Sequence, residues 1–224
     1  EQVDARIAGY VTNRDYRHYE YGKATKVELE DASLAVRLLP GLENLIIDAR
    51  KSHTIDSIES TIRLWQLKQP NLALVAIDYD TLVEMPTARS MAEASDALYR
   101  ALALLAKRTN IAIVVLAQLK NEAVMKLQPD ASDIYGGVNP SAKADACLIL
   151  SCPQDAGFEP ASYHATDKLL RLRVDIQRSG PDKVATWLTL DAGRIKVGTL
   201  DLNVRRDLDA ELKAALYPKK RGTP

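Results

Sequence analysis

The side chains best placed for chemistry stand where apolar runs end. Leu72 to Ile77 runs without alternation into Asp78, the pattern of a strand buried on both faces and ending in a carboxylate. In a parallel α/β sheet, ligands bind outside the carboxyl ends of the strands. An Asp there can hold the water shell of a Mg²⁺ on a nucleotide, the layout of a Walker B strand; it can equally start a turn after a core strand. Ile111 to Gln118 repeats the pattern, so two buried strands are expected to bring Asp78 and Gln118 to one edge. Arg178 closes an alternating run, Leu169 to Arg178, before Ser179-Gly180-Pro181, where a solvated strand end is the plain reading.

Two further stretches can carry function. Tyr16, Tyr19 and Tyr21 interleave with Arg14, Arg17, His18 and Lys23. They can stack bases and meet phosphates of a single strand, or form a solvated connection whose tyrosines lie against the domain. From Lys120 to Ala144, Pro129, Gly136, Gly137 and Pro140 rule out a long regular element. A loop this long in a compact domain is usually functional or mobile.

The elements that must position these residues follow from periodicity and caps. Helices are predicted over 1–12 (Val3, Ile7 and Tyr10 or Val11 on one face), over Val27–Leu39 up to Pro40-Gly41, and over Thr54–Gln69 with Thr54 as N-cap. Asn44 to Asp48 reads as a short strand, and strand, helix, strand predicts a right-handed parallel crossover. Another helix runs from Pro86-Thr87 to Lys107-Arg108 with Met91, Ala94, Leu98 and Leu105 in register. Cys147 to Cys152 is a buried strand, and Pro153 to Thr166 a second loop. Leu169–Arg178, Val184–Leu190 and Ile195–Val197 read as antiparallel strands appended to a parallel core. Asp207 to Leu216 reads as a terminal helix, and the tail Pro218 to Pro224 as disordered.

Composition bounds the class. The 224 residues are 46% hydrophobic, enough for a real core. Thirty basic and thirty acidic side chains leave no net charge, which excludes a histone-like binder and confines nucleic-acid binding to a local patch or loop. The two cysteines, Cys147 and Cys152, are too few for a disulfide scaffold or a zinc site and read as core thiols of a reducing cytoplasm. No apolar run approaches the roughly 18 residues of a membrane span. Glu1 to Tyr10 contains no signal-peptide core, so a cytoplasmic protein without membrane contact is expected. The first residue is Glu rather than Met, in what reads as mid-helix, so the gene is expected to begin upstream.

In order along the chain, several segments resemble the RecA-like ATPase domain of the DnaB-like hexameric replicative DNA helicases. LVAIDYDTLVEM (74–85) looks like the family's IDYLQLM segment, and IAIVVLAQLKNEA (111–123) like its strand ending in SQLNR. SDIYGGVNPSAKADACLIL (132–150) looks like SDLRESGSIEQDAD with its following strand, DIQRSGP (175–181) like KQRNGP, and EQVDARI like the helix after SLEM. The resemblance implies a RecA-like P-loop NTPase core: an α/β fold, largely parallel, flanked by helices, with antiparallel strands near the C-terminus. It implies a helicase ATPase domain over 1–200, with 201–224 as a short helix and tail.

The resemblance also implies roles. ATP and Mg²⁺ would be the cofactors, with Asp78 organising the metal's water shell, Gln118 sensing the γ-phosphate, and Arg178 serving as an arginine finger to the neighbouring subunit's nucleotide. Ser132 to Val138, with Ser132, Asp133, Tyr135, Gly136 and Gly137, would hold single-stranded DNA through main-chain N–H groups and polar contacts. A homo-hexamer with a helicase loader or primase as partner is implied.

The departures matter too. G-x-x-x-x-G-K-[ST] is absent from these 224 residues, and Gly22-Lys23-Ala24-Thr25 does not supply it; this chain alone is expected to bind ATP poorly and to be inactive. The family's catalytic Glu would fall just before Glu1. Ile176 stands where the family has Lys, Tyr135 and Gly136 where it has Arg and Glu, and Thr81 where it has Gln. A diverged, weakly or non-catalytic module for ring assembly or for DNA or protein binding is therefore the alternative. A regulatory ATPase that remodels protein rings is a third reading.

Overall fold

The structure, a computed structural model, describes residues 2–50, 53–85, 88–135 and 140–218. It divides into two compact units, one of residues 1–48, 152–172 and 186–224, the other of 49–151 and 173–185.

The first unit opens with α1 (Gln2–Thr12), α2 (Arg17–Glu20) and α3 (Lys26–Arg37). Thr25 caps α3: its hydroxyl accepts from the Glu28 N–H, and the Glu28 carboxylate accepts from the Thr25 N–H at 2.8 Å. Arg14 and His18 also bond to the Glu28 carboxylate. The Tyr19 hydroxyl donates to Thr12 Oγ1 at 2.9 Å, and the Arg6 guanidinium lies 5.8 Å from the Tyr16 ring centre. Gly9 must be glycine, because a Cβ there would stand 2.7 Å from Tyr16 Cα. Tyr16 and Tyr19 thus lie against the unit's own helices, while Tyr21 is exposed.

The Thr25 N–H bond, followed by the bond to His18, holds the Glu28 carboxyl down to about 2 from an ordinary 4.5. A depressed carboxylate contributes stability above its unfolded pKa and loses it as pH falls through its folded one. Glu28→Gln should therefore flatten the pH dependence of unfolding between 4.5 and about 2, read by circular dichroism in an acid titration.

Asn44 to Asp48 does not form the predicted strand: a 3₁₀ turn covers Leu42–Asn44 and the backbone then runs irregularly. A strand needs a neighbour for its ladder, and among the described residues none pairs with it. The predicted crossover from this segment is accordingly not formed.

The second unit contains β1 (His53–Thr54), α4 (Ile55–Lys68), β2 (Leu74–Asp78), β3 (Val83–Glu84), α5 (Met91–Thr109), β4 (Ala112–Leu116), α6 (Asn121–Val124), α7 (Pro140–Lys143) and β5 (Ala146–Ser151). Thr54 caps α4 as expected. The helix predicted from Pro86-Thr87 begins instead at Met91, because Ser90 supplies the side-chain acceptor for the Glu93 N–H; Pro86 and Thr87 lie outside the described residues.

Strands β2 and β4 pair in parallel from Leu74↔Ala112 to Asp78↔Leu116, and β1 pairs in parallel with β3. One face of β2 and β4, carrying Val75, Ile77, Ile113 and Val115, packs on a core of Ile58, Ile62, Val83, Leu98, Leu102, Leu105 and Ile111. The other face leaves Leu74, Val114 and Leu116 about half exposed. The expectation of strands buried on both faces is thus corrected. Helices α4 and α5 supply one apolar layer, and the described residues supply no second one.

Then follow β6 (Lys168–Gln177), β7 (Val184–Asp191), β8 (Lys196–Thr199) and α8 (Leu202–Leu216), in the strand order β5-β6-β7-β8 with β7 and β8 antiparallel. Helix α8 begins at Leu202, not Asp207, because Asp201 caps it by accepting from the Asn203 N–H. In the first unit, Trp187 is buried, stacks on Phe158 at 5.9 Å and donates to Asp209; Leu208 and Leu212 of α8 are fully buried. The predicted disordered tail lies outside the described residues from Lys219 onward. Among the described residues no helix is long and apolar enough to cross a membrane.

Candidate functional site

Asp78 is the last residue of β2 and is exposed, on the same face as Leu74. Its register partner is Leu116, and Gln118 follows two positions on, also exposed. The parallel pairing therefore sets Asp78 at the carboxyl edge of the β2–β4 pair, and Gln118 lies in the segment that leaves β4 at that edge. The Asp78–Tyr79 peptide is cis.

Beyond Gln118 the chain is fastened to the following loop. Leu119 and Ile134 form an antiparallel bridge; the Tyr135 N–H donates to the Gln118 carbonyl at 2.7 Å and the Lys120 N–H to the Asp133 carbonyl at 2.8 Å. The loop's own turn is a 3₁₀ segment, Ala131–Asp133, capped by Asp130. Asp133 is buried, its carboxylate accepting from the Asp130 N–H and from Lys126 Nζ at 2.6 Å. Ser132 and Tyr135 are exposed. Gly136 and Gly137 lie outside the described residues. Ala131 and Ile134 pack with Cys147, Ile149 and Ile176, so Ile176 is an apolar support beneath the loop. Burial pushes the Cys147 thiol up, in keeping with a core thiol.

Arg178 follows the last residue of β6. Its N–H donates to the Asp145 carbonyl at 3.0 Å, its guanidinium to the Ala142 carbonyl at 2.9 Å and to the Asp145 carboxylate at 3.3 Å. It thus stands at the amino end of β5, whereas Asp78 and Gln118 stand at the carboxyl ends of β2 and β4. The described contacts join Gln118 to the loop and Arg178 to α7, but do not join Arg178 to Asp78.

Sequence reasoning passed over two buried carboxylates. Asp80 is 5% exposed; the Tyr99 hydroxyl donates to its Oδ2 at 2.8 Å, and its Oδ1 has no hydrogen-bond partner among the described residues. Burial pushes its carboxyl up, against the pull of the Tyr99 bond. The signal available was a second acid two positions after Asp78. Asp175 is 1% exposed, within bonding distance of Arg173, Lys183 and the Ala131 N–H. An acid inside an alternating strand pattern was its only sequence mark.

Among the described residues, no group of three or more His, Cys, Asp or Glu gathers as a metal site. The exposed carboxylate of Asp78 at a strand's carboxyl end is the donor type that Mg²⁺ accepts where it takes most ligands from phosphate and water.

Among solved structures, the ATPase domain of G40P is similar, with a TM-score of 0.74 at 18% identity over 88% of this chain and 70% of that one. A structure of a DnaB-like replicative helicase, whose title also names its interactions with primase, gives 0.70 at 17% identity over 88% of this chain and 48% of that one. The chain thus spans about half of that helicase's length. A comparison with curated protein sequences finds no match. These likenesses bear out the RecA-like α/β fold. The family model described as "DnaB-like helicase C terminal domain" matches residues 1–190, so the chain belongs to the DnaB-like helicase C-terminal domain family and has a helicase-related role.

Proposed function

We propose that this chain is the motor portion of a replicative DNA helicase, coupling ATP hydrolysis at the subunit interfaces of a hexameric ring to movement along single-stranded DNA. Residues 1–200 serve as the ATPase domain and 201–224 as an appended helix and tail. The observation that carries this reading is the bond from the Tyr135 N–H to the Gln118 carbonyl, with the Leu119↔Ile134 bridge beside it. A residue at the nucleotide edge and a candidate DNA loop are neighbours in one hydrogen-bonded ladder, so displacement of one displaces the other.

In this reading Mg²⁺-bound ATP supplies the phosphoryl group and the charge that must be neutralised in its transfer. Asp78 orders the metal's water shell, Gln118 reads the γ-phosphate and moves the loop, and Arg178 reaches the neighbouring subunit's site. Ser132 and Tyr135 meet the DNA, with Asp133 holding the loop's shape. A helicase loader or a primase is the partner class expected of the assembled ring. These 224 residues lack a phosphate cradle, so the test requires the whole gene product.

Hydrolysis by the whole protein should rise when single-stranded DNA is added; no rise would exclude a translocase. Ser132→Glu should weaken single-strand binding and Tyr135→Ala should remove a stacking ring worth roughly 1–3 kcal/mol, both read by fluorescence anisotropy across a salt series. Binding unchanged by both would move the DNA contact elsewhere. The non-catalytic reading is favoured by one observation: Ile176 packs into the cluster under the loop, and no cation stands in its place. A whole protein that binds DNA and assembles without hydrolysing ATP would establish that reading.

A further inference from the structure

The second unit holds an ionic knot that the proposed site does not use, made of two buried side chains, Asp175 and Arg173, and the exposed Lys183. Asp175 Oδ1 accepts from Arg173 at 2.6 Å and from Lys183 at 2.7 Å, and Oδ2 accepts from the Ala131 N–H at 2.7 Å. Both Asp175 and Arg173 are almost completely buried. Burial pushes the Asp175 carboxyl up, but the Lys183 bond, the Ala131 N–H and the Arg173 charge outweigh it and hold the group ionised, below the usual carboxylate range. Lys183 reaches the carboxylate from a left-handed backbone conformation, φ 59°, uncommon for a residue other than glycine.

For stability alone this knot is a poor choice, since well-packed apolar residues of similar volume commonly serve as well or better. What a carboxylate does that an apolar side chain cannot is hold one backbone N–H at a fixed register. The N–H held here belongs to Ala131, the first residue of the loop's 3₁₀ turn. Asp175 lies on β6, the strand that leads into Arg178, and its neighbour Ile176 packs under Ala131 and Ile134. The loop is therefore fastened on two sides, to Gln118 by its backbone ladder and to β6 by Asp175.

Resting on the function proposed above, we infer that Asp175 is a positioning residue: it locks the loop Asp130–Tyr135 to the strand that leads into Arg178, so that movement of the loop on DNA is passed to the arginine as well as to Gln118. The bond is charge-assisted, and a neutral acceptor in its place should open more often by about tenfold.

The test compares Asp175→Asn and the milder Lys183→Gln with the wild type in the whole protein, by backbone hydrogen exchange and by turnover with and without a single-stranded oligonucleotide. Asp175→Asn should speed exchange across 130–135 about tenfold while leaving β2 and β4 protected, and should shrink the ratio of DNA-stimulated to DNA-free turnover. Lys183→Gln should shift both in the same direction by less. Unchanged exchange at 130–135, or an equal rise through β2 and β4, would overturn the assignment, the latter by reducing Asp175 to a general structural role. So would faster loop exchange with an unchanged turnover ratio. If the wild type itself shows no DNA stimulation, the helicase reading fails and the link to Arg178 falls with it, while the exchange result decides separately whether Asp175 anchors the loop.

Discussion

Arg178→Ala in the assembled whole protein is expected to lower ATP turnover by about 10³-fold or more, with nucleotide affinity nearly unchanged. The size follows from the arginine-finger role proposed for Arg178: such a residue meets charge that develops on the transferred phosphoryl group and contributes little to the ground state. The geometry suits that role. The backbone of Arg178 is fixed through Asp145, and its guanidinium is steadied by the Ala142 carbonyl and the Asp145 carboxylate while its side chain stays about half exposed. A guanidinium has five N–H donors, so two bonds leave donors for a phosphate. Arg178→Lys keeps the charge but loses the planar fork and should recover only part of the rate. Rapid-quench hydrolysis with parallel nucleotide-binding titrations reads both. Because Arg178 stands at the amino end of β5 and Asp78 at the carboxyl end of β2, the finger should act on a neighbour. Mixing Arg178→Ala subunits with Asp78→Ala subunits should then restore some turnover that neither shows alone. Full turnover in Arg178→Ala would return the residue to an ordinary solvated strand end.

What was legible in the sequence and what was not divide along physical lines. Local signals carried through: Thr54 caps α4, the apolar runs ending at Asp78 and before Gln118 form adjacent parallel strands, and the alternating runs after Leu169 form β6, β7 and β8. Each depends on chain neighbours and on periods of 3.6 or 2. Asn44 to Asp48 failed because a strand is a property of a pair, and an apolar run cannot report whether a partner lies beside it. The two-sided burial of β2 failed for the same reason, since Leu74 and Val114 are apolar whether or not a layer covers them. The helix starts at Met91 and Leu202 were set by single caps, Ser90 and Asp201, that lie beside equally plausible alternatives. At the candidate site, Asp78, Gln118 and Arg178 were singled out because each closes an apolar or alternating run in the sequence. Asp175 was not, because its meaning comes from Ala131, Arg173 and Lys183, brought to it only by the fold.

Leu105→Ala should destabilise the second unit by about 3–5 kcal/mol, a large part of the roughly 5–15 kcal/mol that holds a domain folded. Leu105 is 1% exposed and belongs to the core formed with Ile58, Ile62, Leu98, Leu102 and Ile111, against which Val75, Ile77, Ile113 and Val115 of β2 and β4 rest. Truncation removes the transfer free energy of the lost carbons and leaves a cavity. Collapse into it is hindered because α5 and the strands are each held by their own hydrogen bonds. The cost falls at the upper end because β2 and β4 rest on this one apolar layer, with no second layer among the described residues to share it. Leu104→Ala, the adjacent residue on the same helix but 55% exposed, should shift stability by no more than about 0.5 kcal/mol. Denaturant unfolding followed by circular dichroism separates the two: the midpoint should fall sharply for Leu105→Ala at unchanged slope and barely move for Leu104→Ala. Equal, small shifts in both would mean that the strands carrying Asp78 and Gln118 take their support from elsewhere than the α4–α5 layer.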